Sequence, residues 1–371
     1  MIYLINKFLR YIFANGFKKT YNKILSKYLL NKKYYFKDQV WINKKNIIKN
    51  EKKIVAVIGC GNFSFSNICY YLNNFNKNFL HSTFDINIDK AITTCKYYNG
   101  ILATNNIEEI LQNQEVKLVY IASNHSSHAD YAVQLMKFGK NVHIEKPHVV
   151  SNNQLTILMN EYIKKKSKIF LGFNRNQTNF TNIIKDLIKI ERGKTIINWF
   201  IIGHKINDNN WYYNKEEGGR ILGNLCHWSD LTLNLIGLTD SFPCKIIPIS
   251  ENTDKSNFVI NLIFPNKSYA VITFSSLGEV IDGVKESLRL QKGNLLVYLE
   301  DFKILKYFKK GRVRKISLEK KQLGHNQNIV NSYTSTISNK EGETGEYIYK
   351  TAKLFLGIKE AIEENKTIII E

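Results

Sequence analysis

Ile54-Val55-Ala56-Val57-Ile58-Gly59-Cys60-Gly61-Asn62-Phe63-Ser64 changes character at its middle. Its first half is a short apolar run rich in β-branched residues, which reads as a strand buried on both faces. The run stops at Gly59-Cys60-Gly61, a tight turn, and Phe65, Ile68, Cys69 and Leu72 then follow at helical spacing. Strand, glycine turn and helix make the first half of a dinucleotide-binding βαβ unit. Gly59 permits the turn, Gly61 lets backbone N–H groups approach a pyrophosphate, and the helix N-terminus favours that negative charge. Asn62 and Phe63, which open the helix, join the glycines as candidate cofactor contacts. Ser64 stands where the usual fingerprint has its third glycine.

About twenty residues on, the distance the fingerprint requires, His81-Ser82-Thr83-Phe84-Asp85 reads as a second strand ending in an acid. A carboxylate there accepts hydrogen bonds from the adenosine ribose hydroxyls and repels a 2′-phosphate. No Arg follows it; Ile86 and Asn87 do. NAD is therefore expected over NADP.

The 371 residues suffice for two domains with ample core, and 44% of them are hydrophobic. Cys60, Cys69, Cys95, Cys226 and Cys244 show neither metal nor disulfide spacing, which suits a reducing, cytoplasmic setting, and no metal site is expected. The formal charge of +21 is spread as Lys through a background of Asn and Ile, without an RNA-binding signature or zinc knuckle. A solvated basic surface accounts for it better than a nucleic-acid partner does, and it favours anionic small molecules.

Residues 1–50 precede the first strand and read as an extension outside the nucleotide fold. Ile5, Phe8, Leu9, Ile12, Phe13, Phe17, Tyr21, Ile24, Leu25, Tyr28 and Leu29 fall three or four apart, with Lys7, Arg10, Lys18, Lys19, Lys23 and Lys27 between them. That is one or two amphipathic basic helices, broken near Asn15-Gly16. No apolar run approaches the roughly 20 residues of a transmembrane span. Such a helix can dock on its own domain or on a partner subunit, or lie peripherally on the inner face of an anionic membrane. Docking is the expectation carried forward.

From Asp85 onward, strands and helices alternate. Strands are expected at Ile101–Ala103, Leu118–Ala122, Asn141–Glu145 and Lys168–Phe173, with helices near Ile88–Tyr98, Ile107–Gln112 and Ala129–Phe138. This pace means a parallel, doubly wound sheet, whose ligands bind beyond the C-terminal strand ends. Ser123, Asn124, His128, Glu145 and Lys146 then fall beside the cofactor. Beyond a helix at Phe180–Ile190, strands dominate, and Tyr347–Glu364 has helical spacing again.

At Glu145-Lys146-Pro147 the chain resembles the glucose–fructose oxidoreductase/inositol dehydrogenase (Gfo/Idh/MocA) family. The resemblance rests on the glycine turn, Asp85, the loop ending in His128, GKNVHIEKP, GFNR at Gly172–Arg175, and EEGGRILGNLCHWSD at Glu216–Asp230. It implies a Rossmann domain (51–175) followed by an α/β domain (176–371) with a large open, mostly antiparallel sheet commonly used for homo-oligomerisation. It also implies that Lys146 is the catalytic or substrate-orienting lysine, that Glu145 contacts the nicotinamide region, and that His227 touches the hydroxyl being oxidised and shares proton transfer. Many members carry an aspartate four residues before that histidine; here the position is Gly223, followed by Asn224.

A lysine can take a hydroxyl proton while nicotinamide accepts hydride. Arg175, Trp211, Tyr212, Arg220 and Asn224 are candidate walls of a sugar or phosphate pocket, Asp230 either binds a substrate hydroxyl or holds its helix in place, and His128 reads as a loop-ordering residue near the nicotinamide ribose. The expected activity is hydride transfer with a sugar, cyclitol or nucleotide sugar, for example in surface-polysaccharide synthesis. Two rivals remain open: elimination or glycoside cleavage through bound NAD, and a regulatory scaffold whose relay decayed at Gly223.

Overall fold

The computed structural model describes residues 8–9, 11–13, 16–34, 38–43, 52–164, 166–207, 209–249, 256–280 and 283–371. Ile5, Lys7, Arg10 and Asn15 of the N-terminal pattern lie outside the described residues. The chain divides into two compact units. One comprises Tyr11–Gly172 with His325–Gly345, and the other includes Phe173–Gly324 with Glu346–Glu371.

The first unit is built on a seven-stranded sheet with strands β1 (Val40–Ile42), β2 (Val55–Ile58), β3 (Leu80–Phe84), β4 (Leu102–Thr104), β5 (Leu118–Ile121), β6 (Asn141–Ile144) and β7 (Ile169–Leu171). Their order is β1-β4-β3-β2-β5-β6-β7, and every pairing is parallel except β1 with β4. All residues of β2, β3, β5 and β7 are buried. That explains why these strands read as continuous apolar or small-polar runs rather than alternating ones. The order reverses between β2 and β5, which makes their C-terminal ends the topological switch point.

Two features differ from the sequence expectation. Residues 1–50 are not all outside the nucleotide fold, because Val40–Ile42 adds an antiparallel strand to the sheet edge. The helix Phe17–Leu29 also packs within this unit, and Leu30 joins the core of Val55, Phe65, Leu72, Phe79 and Leu118. Three residues are too few to show a strand period, so the edge strand was hidden in the sequence. The 51–175 boundary shifts as well. The helix His325–Ile337 packs back on the first sheet, where Tyr120 Oη donates to the Ile329 carbonyl at 2.7 Å and Asn328 Nδ2 to that of Leu171 at 2.9 Å.

The N-terminal helix docks with its polar side. Lys19 Nζ donates to Tyr71 Oη and lies 4.4 Å from that ring centroid, and burial, with Lys23 adding, lowers its ammonium to about 8. Asn22 Nδ2 donates to Tyr98 Oη at 3.2 Å, Tyr98 Oη donates to Phe65 O at 2.6 Å, and Ser26 Oγ donates to Asn62 Oδ1 at 3.1 Å.

The second unit carries a nine-stranded, mostly antiparallel sheet, as expected. Its strands are β8 (Thr195–His204), β9 (Cys244–Ile249), β10 (Phe258–Ile263), β11 (Tyr269–Gly278), β12 (Lys285–Lys292), β13 (Leu295–Glu300), β14 (Ile304–Lys309), β15 (Arg312–Ser317) and β16 (Ile368–Ile370). The order is β15-β14-β13-β12-β8-β11-β10-β9-β16, with β8 and β11 the parallel pair. Alternating burial along β8 and β11 leaves one face packed against the helix Cys226–Ile236 and the other open.

Because the N-terminal helix shares the core of the first unit, Leu30→Ala is expected to lower stability by about 2–3 kcal/mol. Removing residues 1–33 should lower the melting temperature further. Urea denaturation of both variants checks this; unchanged midpoints would mean that the helix merely rests on the surface.

Candidate functional site

In the first unit, the glycine turn is fixed by contacts that explain each of its residues. Gly59 has φ +82°, and a Cβ there would lie 2.6 Å from the Ala122 carbonyl oxygen, so glycine is required by the protein itself. At Gly61 nothing lies within 4 Å of an added Cβ. No protein group demands that glycine, which leaves the space open to a ligand such as a pyrophosphate. Ser64, in place of the third glycine, donates its hydroxyl to the Gly59 carbonyl and so closes the turn. The helix that follows starts as a π-helical segment, Ser64–Cys69, before the α-helix Tyr70–Phe75. Such π-turns concentrate at functional sites.

Asp85 is buried at the end of β3. Its Oδ2 accepts from the Cys60 N–H and its Oδ1 from the Asn87 N–H, both at 2.8 Å. Each carboxylate oxygen retains a further lone pair with which it can meet a ribose hydroxyl. Gly59, Gly61 and Asp85 thus fit a dinucleotide. Asn62 is placed differently from the expectation: its side-chain oxygen serves Ser26 of the N-terminal helix, so what it offers a phosphate is its backbone. Phe63 is half-buried and pairs with the His325 ring at 6.0 Å.

The other strand ends hold the remaining candidates. His128 is buried, with Nδ1 2.8 Å from the Pro147 carbonyl oxygen and Nε2 3.1 Å from that of Ser123. Burial lowers its imidazole below the ordinary value, and a neutral ring donates to one of these carbonyls at a time. His128 therefore ties the Ser123 loop to the Lys146-Pro147 bend. Ser123 Oγ lies 2.7 Å from Ser127 Oγ, and Asn124 is exposed beside them. Glu145 is buried against Gly172, where an added Cβ would meet its carboxylate at 2.7 Å, and this explains the glycine of GFNR. Behind Glu145 stands His143, which the sequence reading passed over. Its Nε2 lies 3.6 Å from Glu145 Oε1 and its Nδ1 2.8 Å from Ser332 Oγ. Period-two placement on a buried strand is its one sequence signal. Lys146 is half-buried at the end of β6.

In the second unit, His227 opens the helix Cys226–Ile236 directly after a second π-helical segment, Ile221–Leu225. It is half-buried, with the Phe173 ring edge-on at 6.3 Å. At Gly223, one turn before His227, an added Cβ would sit 2.1 Å from the Tyr212 hydroxyl oxygen. The phenol of Tyr212 therefore fills the place of a side chain at position 223, and burial pushes its hydroxyl well above the ordinary value. Arg220 is buried, donating through Nη1 to Asn224 Oδ1 at 3.0 Å and through Nη2 to the His204 carbonyl. Trp211 is exposed on the neighbouring 3₁₀ turn.

Two of the candidates, Arg175 and Asp230, have buried partners within the fold. Arg175 forms a buried pair with Glu286, Nε to Oε2 at 2.7 Å and Nη2 to Oε1 at 3.2 Å, and lies 4.7 Å from the Trp228 ring centroid. Asp230 is buried and accepts from Asn176, from Tyr347 Oη at 2.7 Å and from Thr351 Oγ1 at 2.8 Å. Both hold the helix Cys226–Ile236 to its neighbours. No group of residues able to hold a metal ion occurs among the described residues.

Gly61→Ala is expected to keep the wild-type melting temperature while weakening dinucleotide affinity about tenfold or more, because its Cβ enters the pyrophosphate space. Gly59→Ala should instead destabilise the fold by about 1–3 kcal/mol through strain. Calorimetric titration with thermal melts separates the two, and equal affinity for Gly61→Ala would remove the phosphate role. A second expectation concerns acid stability. Burial alone would raise the Glu286 carboxyl, but Arg175, Lys321 and Trp228 outweigh it and hold it below its ordinary 4.5. Its stabilisation is complete above pH 4.5 and is lost as pH falls through the depressed value. Arg175→Leu, which leaves that carboxylate buried, should cost about 3–5 kcal/mol at neutral pH. In urea denaturation followed against pH, the variant should also lose part of the wild-type dependence on acid.

Comparison with known proteins agrees with this architecture. Residues 53–173 match the Gfo/Idh/MocA oxidoreductase family, described as having an NAD-binding Rossmann fold. Oxidoreductase P35 of Formosa agariphila is 31% identical over 135 residues, which cover 36% of this chain and 41% of that protein. The match thus spans less than half the length of that relative. Among solved structures, GenD2 from gentamicin A biosynthesis, in complex with NAD, has a TM-score of 0.72 at 13% identity, covering 86% of this chain and 97% of that one. KijD10, a 3-ketoreductase from Actinomadura kijaniata in complex with NADP and TDP-benzene, has a TM-score of 0.71 at 13% identity, covering 83% and 97%. These likenesses to solved structures show the fold, and residues 53–173 match the Gfo/Idh/MocA oxidoreductase family with its NAD-binding Rossmann fold.

Proposed function

We propose that the protein is an NAD-dependent oxidoreductase that moves hydride between nicotinamide and a secondary alcohol or ketone of a sugar, cyclitol or nucleotide sugar. The observation that carries this reading is the turn itself: Gly61 facing open space beside a buried Asp85 with unused lone pairs. Gly59, Gly61 and Asp85 would hold the dinucleotide, with His128 and Glu145 ordering the strand ends beside it. When bound, the nicotinamide supplies or accepts the hydride.

Lys146 takes up the hydroxyl proton in oxidation and returns it in reduction, and His227 shares that transfer. Tyr212 extends the set, because its phenol occupies the space of a side chain at Gly223 and burial keeps it protonated. It supplies a neutral donor where relatives by resemblance have a carboxylate. Arg220, Asn224 and Trp211 are the remaining candidates for substrate contact. The TDP-benzene bound to KijD10, and the basic surface of this chain, support an anionic nucleotide sugar, with surface-polysaccharide synthesis as one setting. The open face of the nine-stranded sheet exposes Phe200, Ile263 and Tyr269, which supports a homo-oligomer covered there by a second copy. A cytoplasmic location accords with the buried, unpaired cysteines.

Turnover of a panel of sugars, cyclitols and nucleotide sugars, followed by nicotinamide absorbance, tests the reading. Lys146→Ala should retain NADH binding and lose about 10²–10⁴-fold in kcat, the usual range for a general acid–base group. Tyr212→Phe should lower kcat more than it changes KM. Full turnover in Tyr212→Phe would reduce the tyrosine to packing, and absence of hydride transfer across the panel would contradict the oxidoreductase reading.

A further inference from the structure

The N-terminal helix, Phe17–Leu29, turns polar residues toward its own domain. Its buried positions are Thr20, Asn22 and Ser26. Phe17, Tyr21, Ile24 and Tyr28, spaced four, three and four apart, form one stripe on the outer side, and Phe13, ahead of the break at Gly16, is exposed as well. These five side chains are between 51 and 76% exposed. A helix that spends its polar side on its own domain and shows aromatic side chains to solvent has an unpartnered apolar face.

The charges beside that face select its occupant. Lys18 lies on one flank and Lys23 and Lys27 on the other, all exposed, and Lys32 follows at the end. Residues 16–34 contain no Asp or Glu. A second copy meeting this stripe would set lysines against lysines, whereas an anionic bilayer satisfies both parts of the pattern. Apolar side chains enter the boundary between headgroups and acyl chains, tyrosine hydroxyls stay at the headgroup level, and lysine stems extend toward the phosphates. Membrane adsorption also needs no spanning helix, and none of the helices among the described residues is long and apolar enough to cross a membrane.

We propose that this helix seats the protein on an anionic lipid surface through Phe17, Tyr21, Ile24 and Tyr28, with Lys18, Lys23 and Lys27 meeting the headgroups. The opposite side of the same helix carries Ser26, which donates to Asn62 at the entrance of the glycine turn. One helix width, about 10 Å, then separates the bilayer surface from the dinucleotide turn. The seat is independent of the activity proposed above.

The test uses the full chain and vesicles of phosphatidylcholine with or without phosphatidylglycerol. Wild type should co-sediment with the anionic vesicles, more weakly with the neutral ones, and less as salt rises. The combined variant Phe17→Ser, Ile24→Ser, Tyr28→Ser should lower the bound-to-free ratio about tenfold or more, since three apolar side chains leave the interface. Lys18→Gln, Lys23→Gln, Lys27→Gln should remove the preference for anionic lipid. Both variants alter the outward side, so melting and dinucleotide binding report that the domain is intact. Tyr28→Trp, which keeps the stripe apolar, should show fluorescence quenching by brominated lipid beyond that of wild type. Wild type that stays in the supernatant, or a serine variant that sediments equally, would overturn the proposal. So would a wild-type dimer, seen by light scattering, that the serine variant dissolves without any vesicle binding, for it would assign the stripe to a second copy.

Discussion

The Asp85 carboxylate joins two peptide N–H groups from different parts of the chain, Cys60 in the glycine turn and Asn87 in the turn after β3. With the Gly59 N–H donating to the Phe84 carbonyl at 2.9 Å, it fixes the end of β2 to the end of β3. Gly59 is pressed at the same time against Ala122 at the end of β5, so three strand ends share one rigid seam. A buried acid is costly unless it is hydrogen-bonded, and these amides meet that cost while leaving lone pairs for a ligand. The turn is thus organised before any dinucleotide arrives, which spares the binding step an ordering penalty.

The second unit solves a related problem with two buried acids. Glu286 gathers Arg175, Trp228 and Lys321, and Asp230 gathers Asn176, Tyr347 and Thr351. Both networks hold the helix that begins at Cys226, and hence the backbone of His227. Positioning of that histidine depends on these buried polar contacts, where the loss of one partner is expensive. Tyr212 at Gly223 belongs to the same economy of space: its phenol, carried by the preceding 3₁₀ turn, fills the room a side chain at position 223 would take.

Much of this was legible in the residues. Buried parallel strands announce themselves as apolar runs, and the glycine turn with Asp85 at the right distance placed the switch point. Glu145-Lys146-Pro147 and Gly172 were legible as a motif, although the reason for Gly172, the Glu145 side chain lying against it, appeared only in space. The partners of Arg175 and Asp230 were not legible, because Glu286, Tyr347 and Thr351 lie 111, 117 and 121 residues away in sequence. The amphipathic pattern of the N-terminal helix was legible, but which of its faces docks was not. Periodicity names two faces without saying which one docks, and here Tyr71, Tyr98 and Asn62 offer polar partners to the lysine, asparagine and serine side.

The account stands on Asp85 facing a ribose while it holds the turn. Calorimetric titration of the wild-type protein with NAD and then with NADP measures this directly. A carboxylate so placed should make NAD bind about tenfold or more tightly than NADP, since it repels a 2′-phosphate at close range. Equal affinities, or tighter binding of NADP, would contradict the account and confine Asp85 to the Cys60 and Asn87 amides.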